Sequence, residues 1–565
     1  MTDGKGKAWL ERVKGDLFGG VTTAVVSLPL ALAFGVSSGA GAMSGLYGAV
    51  LVGFWAALFG GTRTLISEPT GPMTLMLTAV LTRLVAADPE HGLAMGFTVV
   101  MMAGVFQIAF GMLRLGRYIT LMPYSVISGF MSGIGVLLIA LQVGPLLGHP
   151  TPPGGAVGVI KNLPDLIENL KPAEFFLGGI ALVVMFAFPA QWRKRVPPAL
   201  VMLLGGSLAA WLFFPDGALR TIGEIPKGLP NMHFPVFTWD LLGVLLVDAI
   251  VLGMLGCIDT TLTAMISDSL TRHQHRTNRE LIGQGIGNLM SGLFGGLPGA
   301  GATMGTVVNI QCGATTRLSG MSRAMVLLAV VLVLAPLLSG VPLVVLAAIT
   351  AKVGFDILDW SFLRRSHRVS RSAAVIMFGV LLLTVLVDII VAVGIGVFIA
   401  NLITIDRLSR VQEGNVRAFD VVSDDLPFSE EEKRLLEAGR ERLVVFHLSG
   451  PMIFGVAKAI SRMHEEILDA KALVVDLRDV PLLGTTAALA LENLLREAHG
   501  NGTKIWVSGA SKAIRELFEN LKLTGERGLI TYVDDRLAGM ELAIRDLEKL
   551  EDRTKDPEPS EPHLT

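Results

Sequence analysis

Fourteen apolar runs follow one another between about Asp16 and Ile405, and this succession constrains the fold more than any other feature. The runs centre near Val26, Val50, Leu77, Val105, Leu137, Val183, Leu204, Leu252, Leu289, Val307, Val331, Leu346, Val380 and Val393. A run of roughly 18–25 apolar residues crosses a bilayer as a helix. The chain is therefore expected to be an all-α polytopic membrane protein over residues 16–406, with about 14 transmembrane segments. Composition agrees, with 51% hydrophobic and 17% charged residues where a soluble domain averages about 25% charged. Mean hydropathy is +0.59. A net charge of −2 gives no reason to expect a nucleic-acid partner. Cys257 and Cys312 both lie in apolar runs and imply no disulfide framework.

Loop charge sets the expected orientation. Arg63, the pair Arg114 and Arg117, the cluster from Trp192 to Arg195, Arg272 to Arg279, and Arg364 to Arg371 each follow an even-numbered run. The N-terminal segment 1–15 is basic as well, through Lys5, Lys7, Arg12 and Lys14. The loop after the third run, Asp88-Pro89-Glu90, is acidic. By the positive-inside rule both termini are expected in the cytoplasm of a bacterial plasma (inner) membrane. The first run is too long for a signal-peptide core, so it is read as a retained span.

Two short, interrupted runs point to a site. The third opens with Ser67-Glu68-Pro69-Thr70-Gly71-Pro72-Met73-Thr74, and the tenth with Leu297 to Thr306, a stretch rich in Pro, Gly and Thr. They occupy equivalent places in two sets of seven, and an odd number of spans per repeat gives inverted topology. Paired interrupted segments are the usual sequence pointer to a transporter's binding site. A helix start presents free N–H groups and about half a positive charge, so two such ends make an anion site without a buried arginine. Thr70 and Thr303 are expected to add hydroxyl donors.

The eighth run carries Asp259, and Thr263 lies one turn later on the same face. A carboxylate at membrane depth is functional by default. With a hydroxyl and a backbone carbonyl near Gly301 it suits a hard cation, and either sodium or a proton fits. Asp248, three turns earlier, is a candidate for the ion pathway. Asp268, Asp388 and Glu68 are set aside, Glu68 as a structural cap at a helix start. No metal site is expected at His273 and His275, and the only coupling ion considered is Na+ or H+. No nucleophile–base constellation appears, so an enzyme is not expected.

After Asp406 the chain turns charged. Residues 407–440 read as a linker. Leu443 to Leu448, Ala472 to Leu477 and Lys504 to Ser508 read as strands. They alternate with helices over Val456 to Leu468, Thr485 to Ala498 and Ser511 to Leu521, which implies a small α/β domain over 441–550. The tail 551–565 is rich in Pro, Glu and Asp and is expected to be disordered.

These residues resemble a known family. Pro29 to Gly35, the third- and tenth-run openings and the α/β module are similar to the SulP anion transporters that carry a STAS domain. Gly15 to Gly20, Gly283 to Asn288, Thr306 to Gln311 and Leu448 to Gly455 resemble the BicA-type branch, the cyanobacterial sodium-dependent bicarbonate transporters. The resemblance implies a seven-plus-seven inverted repeat, a core domain moving against a gate domain, and a homodimer within the membrane lipid. It implies a sodium site at Asp259, Thr263, Gly301 and Thr303, and a bicarbonate pocket at Thr70, Ala302 and Thr303. Proton-coupled relatives usually carry glutamate where this chain has Asp259, which favours sodium. Thr485 occupies the phosphoacceptor slot of the STAS module but lacks the preceding acid, which points to a structural, dimerising or protein-binding module.

Overall fold

All fourteen expected centres fall inside helices. These are α1 (Asp3–Ser37), α2 (Ala42–Phe59), α3 (Gly71–Ala87), α4 (Gly92–Met112), α5 (Tyr124–Leu141), α6 (Pro172–Ala187) and α7 (Pro198–Phe213). The second set is α8 (Leu242–Thr271), α9 (Thr277–Leu293), α10 (Thr303–Gln311), α11 (Leu318–Leu338), α12 (Leu343–Ile357), α13 (Arg371–Leu386) and α14 (Ile389–Glu413). The computed structural model describes residues 3–116, 123–193, 197–215, 217–223, 230–387, 389–420, 428–439, 442–453, 455–463, 467, 469–524 and 529–555. Asp388, Arg117, Lys194, Arg195 and residues 556–565 of the expected tail lie outside them. The chain divides into two units, Met1–Ile399 and Ala400–Thr565.

The first unit is built inside out. On α8 the polar residues Asp248, Asp259, Thr263 and Ser267 are buried, while Val247, Met254 and Met265 are exposed. Apolar side chains outward and polar ones inward is the pattern that lipid selects. Among the described residues, five helical stretches are long and apolar enough to span a membrane alone: Trp9–Ser37, Ala42–Phe59, Gly92–Met112, Tyr124–Leu146 and Trp239–Thr271. The approach to α6 is bent by 119° at its junction with the helix Gly155–Glu168. Close backbone approach needs glycine between α4 and α9. A Cβ on Gly104 would stand 2.5 Å from the Gly285 carbonyl oxygen, and one on Gly285 the same distance from that of Gly104.

Helices α3 and α10 are short, at 17 and 9 residues, or ~26 and ~14 Å against a core of ~30 Å. Each follows a two-residue strand, β1 (Ser67–Glu68) and β2 (Ala300–Gly301), and the two strands pair antiparallel with Ser67 opposite Gly301. Because each strand runs straight into its helix, α3 and α10 leave the pair in opposite directions with their N-termini together.

The second unit is a five-stranded sheet of β3 (Val416–Phe419), β4 (Leu443–Ser449), β5 (Ala472–Asp479), β6 (Lys504–Ser508) and β7 (Ile530–Val533), in that order. β3 is antiparallel to β4, and the others are parallel. The segment read as a linker thus supplies a sheet strand, and after it the helix α15 (Glu430–Gly439). α16 (Val456–Arg462), α17 (Thr485–Gly500) and α18 (Lys512–Asn520) follow, and α19 (Arg536–Lys555) runs five residues into the stretch expected to be a disordered tail. Period-two alternation sorts the faces. Val444, Phe446 and Leu448 pack with Leu491 and Leu495 of α17, whereas Leu443 and Val445 pack with Leu436 of α15 and Met540 of α19. Thr485 sits exposed at the start of α17.

A polar network is buried on the α15–α19 face. Arg536 donates to Glu432 at 2.7 and 3.0 Å and to Asp476 at 3.2 Å, and His447 meets Asp476 at 3.2 Å. Burial alone would raise the Asp476 pKa, but the His447 bond, the Arg478 N–H and the Arg536 charge hold it below the usual range. Glu432 is likewise held low, burial being outweighed by Arg536 and the Ser429 N–H. A lowered folded pKa means that the stabilisation is present above the unfolded carboxylate pKa of about 4 and is lost as pH falls through the folded value. Arg536→Met strips the shared cation from two buried carboxylates, leaving Asp476 with His447 and Glu432 with the Ser429 N–H, and is expected to destabilise this unit by about 3 kcal/mol at neutral pH. Thermal melts of the full chain from pH 7 down to about pH 3 check this. The gap between wild type and variant should narrow as the pH falls, and a pH-independent gap contradicts the assignment.

Candidate functional site

The strand pair delivers both half-helix starts to the flank of α8. Thr70 is the N-cap of α3, in an extended conformation, and Pro72 in the first turn has no N–H, leaving Gly71 and Met73 as its donors. Ala302 is the N-cap of α10. Between them Asp259 is 8% exposed and Thr263 is fully buried, while Thr303 is open. The residues expected to hold a cation do come together. Thr263 Oγ1 donates to the Gly301 carbonyl at 2.7 Å and lies 3.0 Å from Thr303 Oγ1. Thr70 Oγ1 donates to Asp259 Oδ2 at 2.7 Å.

Following the protons reverses one expectation. A hydroxyl has one donor and two acceptor lone pairs. Thr263 gives its proton to Gly301, so Thr303 is the donor to Thr263. Thr70 gives its proton to Asp259. All three hydroxyl protons are committed within the protein, and Thr70 and Thr303 are not spare donors for an anion. What these side chains offer a ligand is oxygen lone pairs. The donors for an anion are the first-turn N–H groups of α3 and α10. Thr70, which the resemblance assigns to the bicarbonate pocket, is bonded to the carboxylate of the expected cation site.

The sequence reading missed the frame of the site. Arg323, inside α11, is fully buried and bonds the Glu68 carboxylate; it also donates to Ser67 O at 3.1 Å, Ala49 O at 3.3 Å and Ser27 Oγ at 3.0 Å. Glu68 is therefore the partner of a buried arginine within β1, not a dipole cap on a helix. Because Glu68 neutralises it, Arg323 adds no net charge to the site. Asn288 of α9 clamps the Gly299 peptide from both sides at 2.9 and 2.7 Å and donates to Gln107 at 2.8 Å. Gln284, one turn away, bonds Ser67 Oγ. Two signals mark these residues: an arginine within an apolar run, and polar residues at 280, 284 and 288, four apart on one helix face. Asp248 does not join the cluster; it is paired with Arg83 of α3.

Two broken-helix ends facing each other over a buried carboxylate, in a bundle of apolar helices, define a membrane transporter of the inverted-repeat class. The chain belongs to the Sulfate permease family, whose profile matches residues 13–380, and residues 437–534 match the STAS domain. It is 57% identical over 538 residues to the bicarbonate transporter BicA of Synechocystis sp., covering 95% of each chain. It is similar to the solved transmembrane domain of a cyanobacterium bicarbonate transporter BicA, at 60% identity and TM-score 0.64, covering 68% of this chain and 98% of that one. The fold of SLC26A9 matches at 17% identity and TM-score 0.78, over 96% and 92% of the two chains.

Removing one partner of a buried ion pair strands the other, which typically costs about 3–5 kcal/mol, whereas replacing both by apolar groups is often neutral. Arg323→Met alone and Glu68→Leu alone are expected to lower the melting temperature of the purified protein sharply. The double variant should recover most of the loss. Additive losses in the double variant would show that the two side chains act independently.

Proposed function

We propose that this chain is a secondary active transporter that takes up bicarbonate with sodium by elevator-like alternating access. The observation that carries the reading is the oxygen cluster of Asp259, Thr263, Gly301 and Thr303 beside two half-helix N-termini. The 57% identity to a protein named a bicarbonate transporter supports the choice of anion. In this reading sodium sits on those four residues, and bicarbonate is held beside Ala302 by the free first-turn N–H groups of α3 and α10, around Gly71 and Thr303; the Ala302 N–H itself is taken by Ile66 O. Thr70 joins the two, since its proton lies on Asp259 and its lone pairs face the anion. Bicarbonate has an O–H to give to such an acceptor, and fully ionised sulfate has none, which favours bicarbonate. The basic loops support cytoplasmic termini and a cytoplasmic STAS domain in a bacterial inner membrane, and we extend the reading to a homodimer.

The charge sum explains why the ions travel together. Two helix ends contribute about +0.5 each and Asp259 contributes −1, so the empty site is near neutral. Bound sodium makes it about +1, and only then does it attract an anion strongly. One Na+ with one bicarbonate is electroneutral, and a tenfold sodium gradient supplies about 1.4 kcal/mol, enough for about tenfold accumulation. A second reading, proton-coupled uptake of sulfate or a dicarboxylate, is favoured by the family's description as sulfate permeases. Radiolabelled bicarbonate and sulfate uptake into proteoliposomes, with sodium or proton gradients imposed separately, distinguishes the two. Large uncoupled currents would instead mark an anion channel, and signalling that survives loss of Asp259 would mark a STAS-linked sensor.

Asp259→Asn keeps the volume and removes the charge, so sodium-driven uptake should fall to near background in protein that still inserts and folds. Unchanged sodium dependence would remove Asp259 from the cation site. Sodium and bicarbonate should also lower each other's apparent constants by the same factor, about 5- to 150-fold. Thr303→Val and Thr70→Val should weaken both ions, the latter because it strips a donor from Asp259. Titrating each ion at fixed levels of the other measures this, and independent binding in wild type would sink the shared site.

A further inference from the structure

A second site, independent of the transport reading, lies at one end of the bundle. A cavity of about 760 Å³ is bounded by the loop between α2 and β1, the end of α8, the start of α9 and the segment joining α10 to α11. Its lining carries five arginines, Arg12, Arg63, Arg276, Arg279 and Arg317, against a single carboxylate, Asp268. His273 and His275 line it as well. The Asp268 carboxylate already bonds His275 Nδ1 at 2.6 Å. Nearby acids are also engaged: Glu280 accepts the N–H groups of Gly61 and Thr62 at 2.7 Å each, and Asp16 those of Thr315 and Thr316 at 2.7 and 2.9 Å. Among the described residues, no carboxylate forms an ion pair with any of the five arginines. At the end of α2, Arg317 donates to the carbonyls of Gly60 at 2.5 Å and Leu58 at 3.4 Å, and Arg279 to that of Phe59 at 3.1 Å.

The arrangement keeps an excess of positive charge, five arginines against the carboxylates of Asp268, Glu280 and Asp16. Burial lowers the Arg317 pKa, and repulsion from Arg279, Arg63 and Arg276 lowers it further, with Glu280 acting the other way. Neither N-cap residue, Arg276 of α9 or Arg317 of α11, caps its helix with its side chain; Thr316 Oγ1 takes the Leu318 N–H of α11, and Glu280 stands in the first turn of α9. A separate observation points to a ligand. Thr62 lines the cavity at 7% exposure, and its buried hydroxyl oxygen has no hydrogen-bond partner. A buried unpartnered hydroxyl carries a desolvation penalty that a ligand oxygen would remove.

We propose that this cavity binds a multiply charged phosphate anion, with the arginines holding its oxygens and the Thr62 hydroxyl donating to one of them. Guanidinium groups match phosphate oxygens in paired hydrogen bonds. A multiply charged anion matches the excess of arginines over carboxylates better than a monovalent one, and the volume suits a ligand much larger than bicarbonate. The positive-inside rule puts this end in the cytoplasm, within reach of phosphorylated solutes and of anionic lipid headgroups. The lining reaches Ser267, one turn from Thr263 on the same face of α8, so an occupant is placed to influence the transport site.

The test titrates the full-length protein in detergent with inorganic pyrophosphate, reading equilibrium binding and melting temperature. Wild type should bind saturably, and excess bicarbonate should not compete. Arg63→Gln and Arg276→Gln remove side chains that make no hydrogen bond among the described residues, and each should weaken binding about tenfold or more. Thr62→Val, nearly isosteric, should weaken it several-fold and serves as the control if an arginine variant fails to fold. A second arm adds vesicles of cardiolipin, whose headgroup carries two phosphates, or of phosphatidylcholine. Competition by cardiolipin alone assigns the site to lipid headgroups, and no competition assigns it to free phosphate compounds; either result supports the site. No saturable binding to either probe, or affinity unchanged in all three variants, overturns it.

Discussion

The fold depends on satisfying the backbone where two helices are broken. In lipid every N–H and C=O must find a partner inside the protein, and irregular backbone is tolerated only where it does. The stretches before α3 and α10 meet this demand through one another and through side chains. Ala302 N–H reaches Ile66 O at 2.8 Å, and Ile66 N–H reaches Thr306 Oγ1 at 3.0 Å. Gly301 N–H reaches Thr260 Oγ1 at 3.0 Å, while Asn288 takes both polar groups of Gly299. Ser67 O accepts from Arg323, and Gly301 O from Thr263. Helices α8, α9, α10 and α11 therefore each donate a side chain to hold two short strands. The groups left over are the first-turn donors of α3 and α10, which are the donors of the proposed anion site.

This accounting bears on how the site can move. Unwinding either half-helix further, or separating β1 from β2, would expose Arg323, Glu68 and Asn288 at once, each buried and each bonded across elements. Partly broken buried networks are costly because every freed group loses its partner in low dielectric. Motion that carries the crossover intact, against helices that make no bond to it, avoids that penalty. The hydrogen-bond pattern therefore favours rigid translation of the site over local rearrangement within it.

Much of this was legible in sequence, for a physical reason. Hydropathy is a strong signal because lipid punishes polar residues, so all fourteen apolar centres lie on helices. Asp259 was conspicuous as an acid near the middle of an apolar run, and the paired Pro- and Gly-rich openings marked the broken helices. Arg323 was equally conspicuous by that logic and was passed over, because one charge near the start of a long run reads as a boundary. The Glu68 assignment failed because a carboxylate before a helix suits a dipole cap and a buried partner alike, and only the fold brings α11 beneath β1. In the second unit β3 was missed because Val416 to Phe419 lies in charged surroundings, and a four-residue edge strand is defined by its neighbour β4 more than by its own pattern.

The direction of the Thr70 hydroxyl ties the choice of coupling ion to the choice of anion. With Asp259 ionised, Thr70 donates to it at 2.7 Å, and only lone pairs remain on Thr70 for a ligand. A sodium ion on the cluster keeps Asp259 ionised and so preserves this polarity, which suits an anion bearing its own O–H. A proton on Asp259 reverses the bond: the acid becomes the donor, Thr70 the acceptor, and the threonine proton turns outward as a donor. That polarity suits an anion made only of acceptors, such as sulfate or a dicarboxylate. In the proposed site, cation and anion specificity are then one property of a single hydrogen-bonded pair, set by whether the carboxylate at position 259 holds a proton.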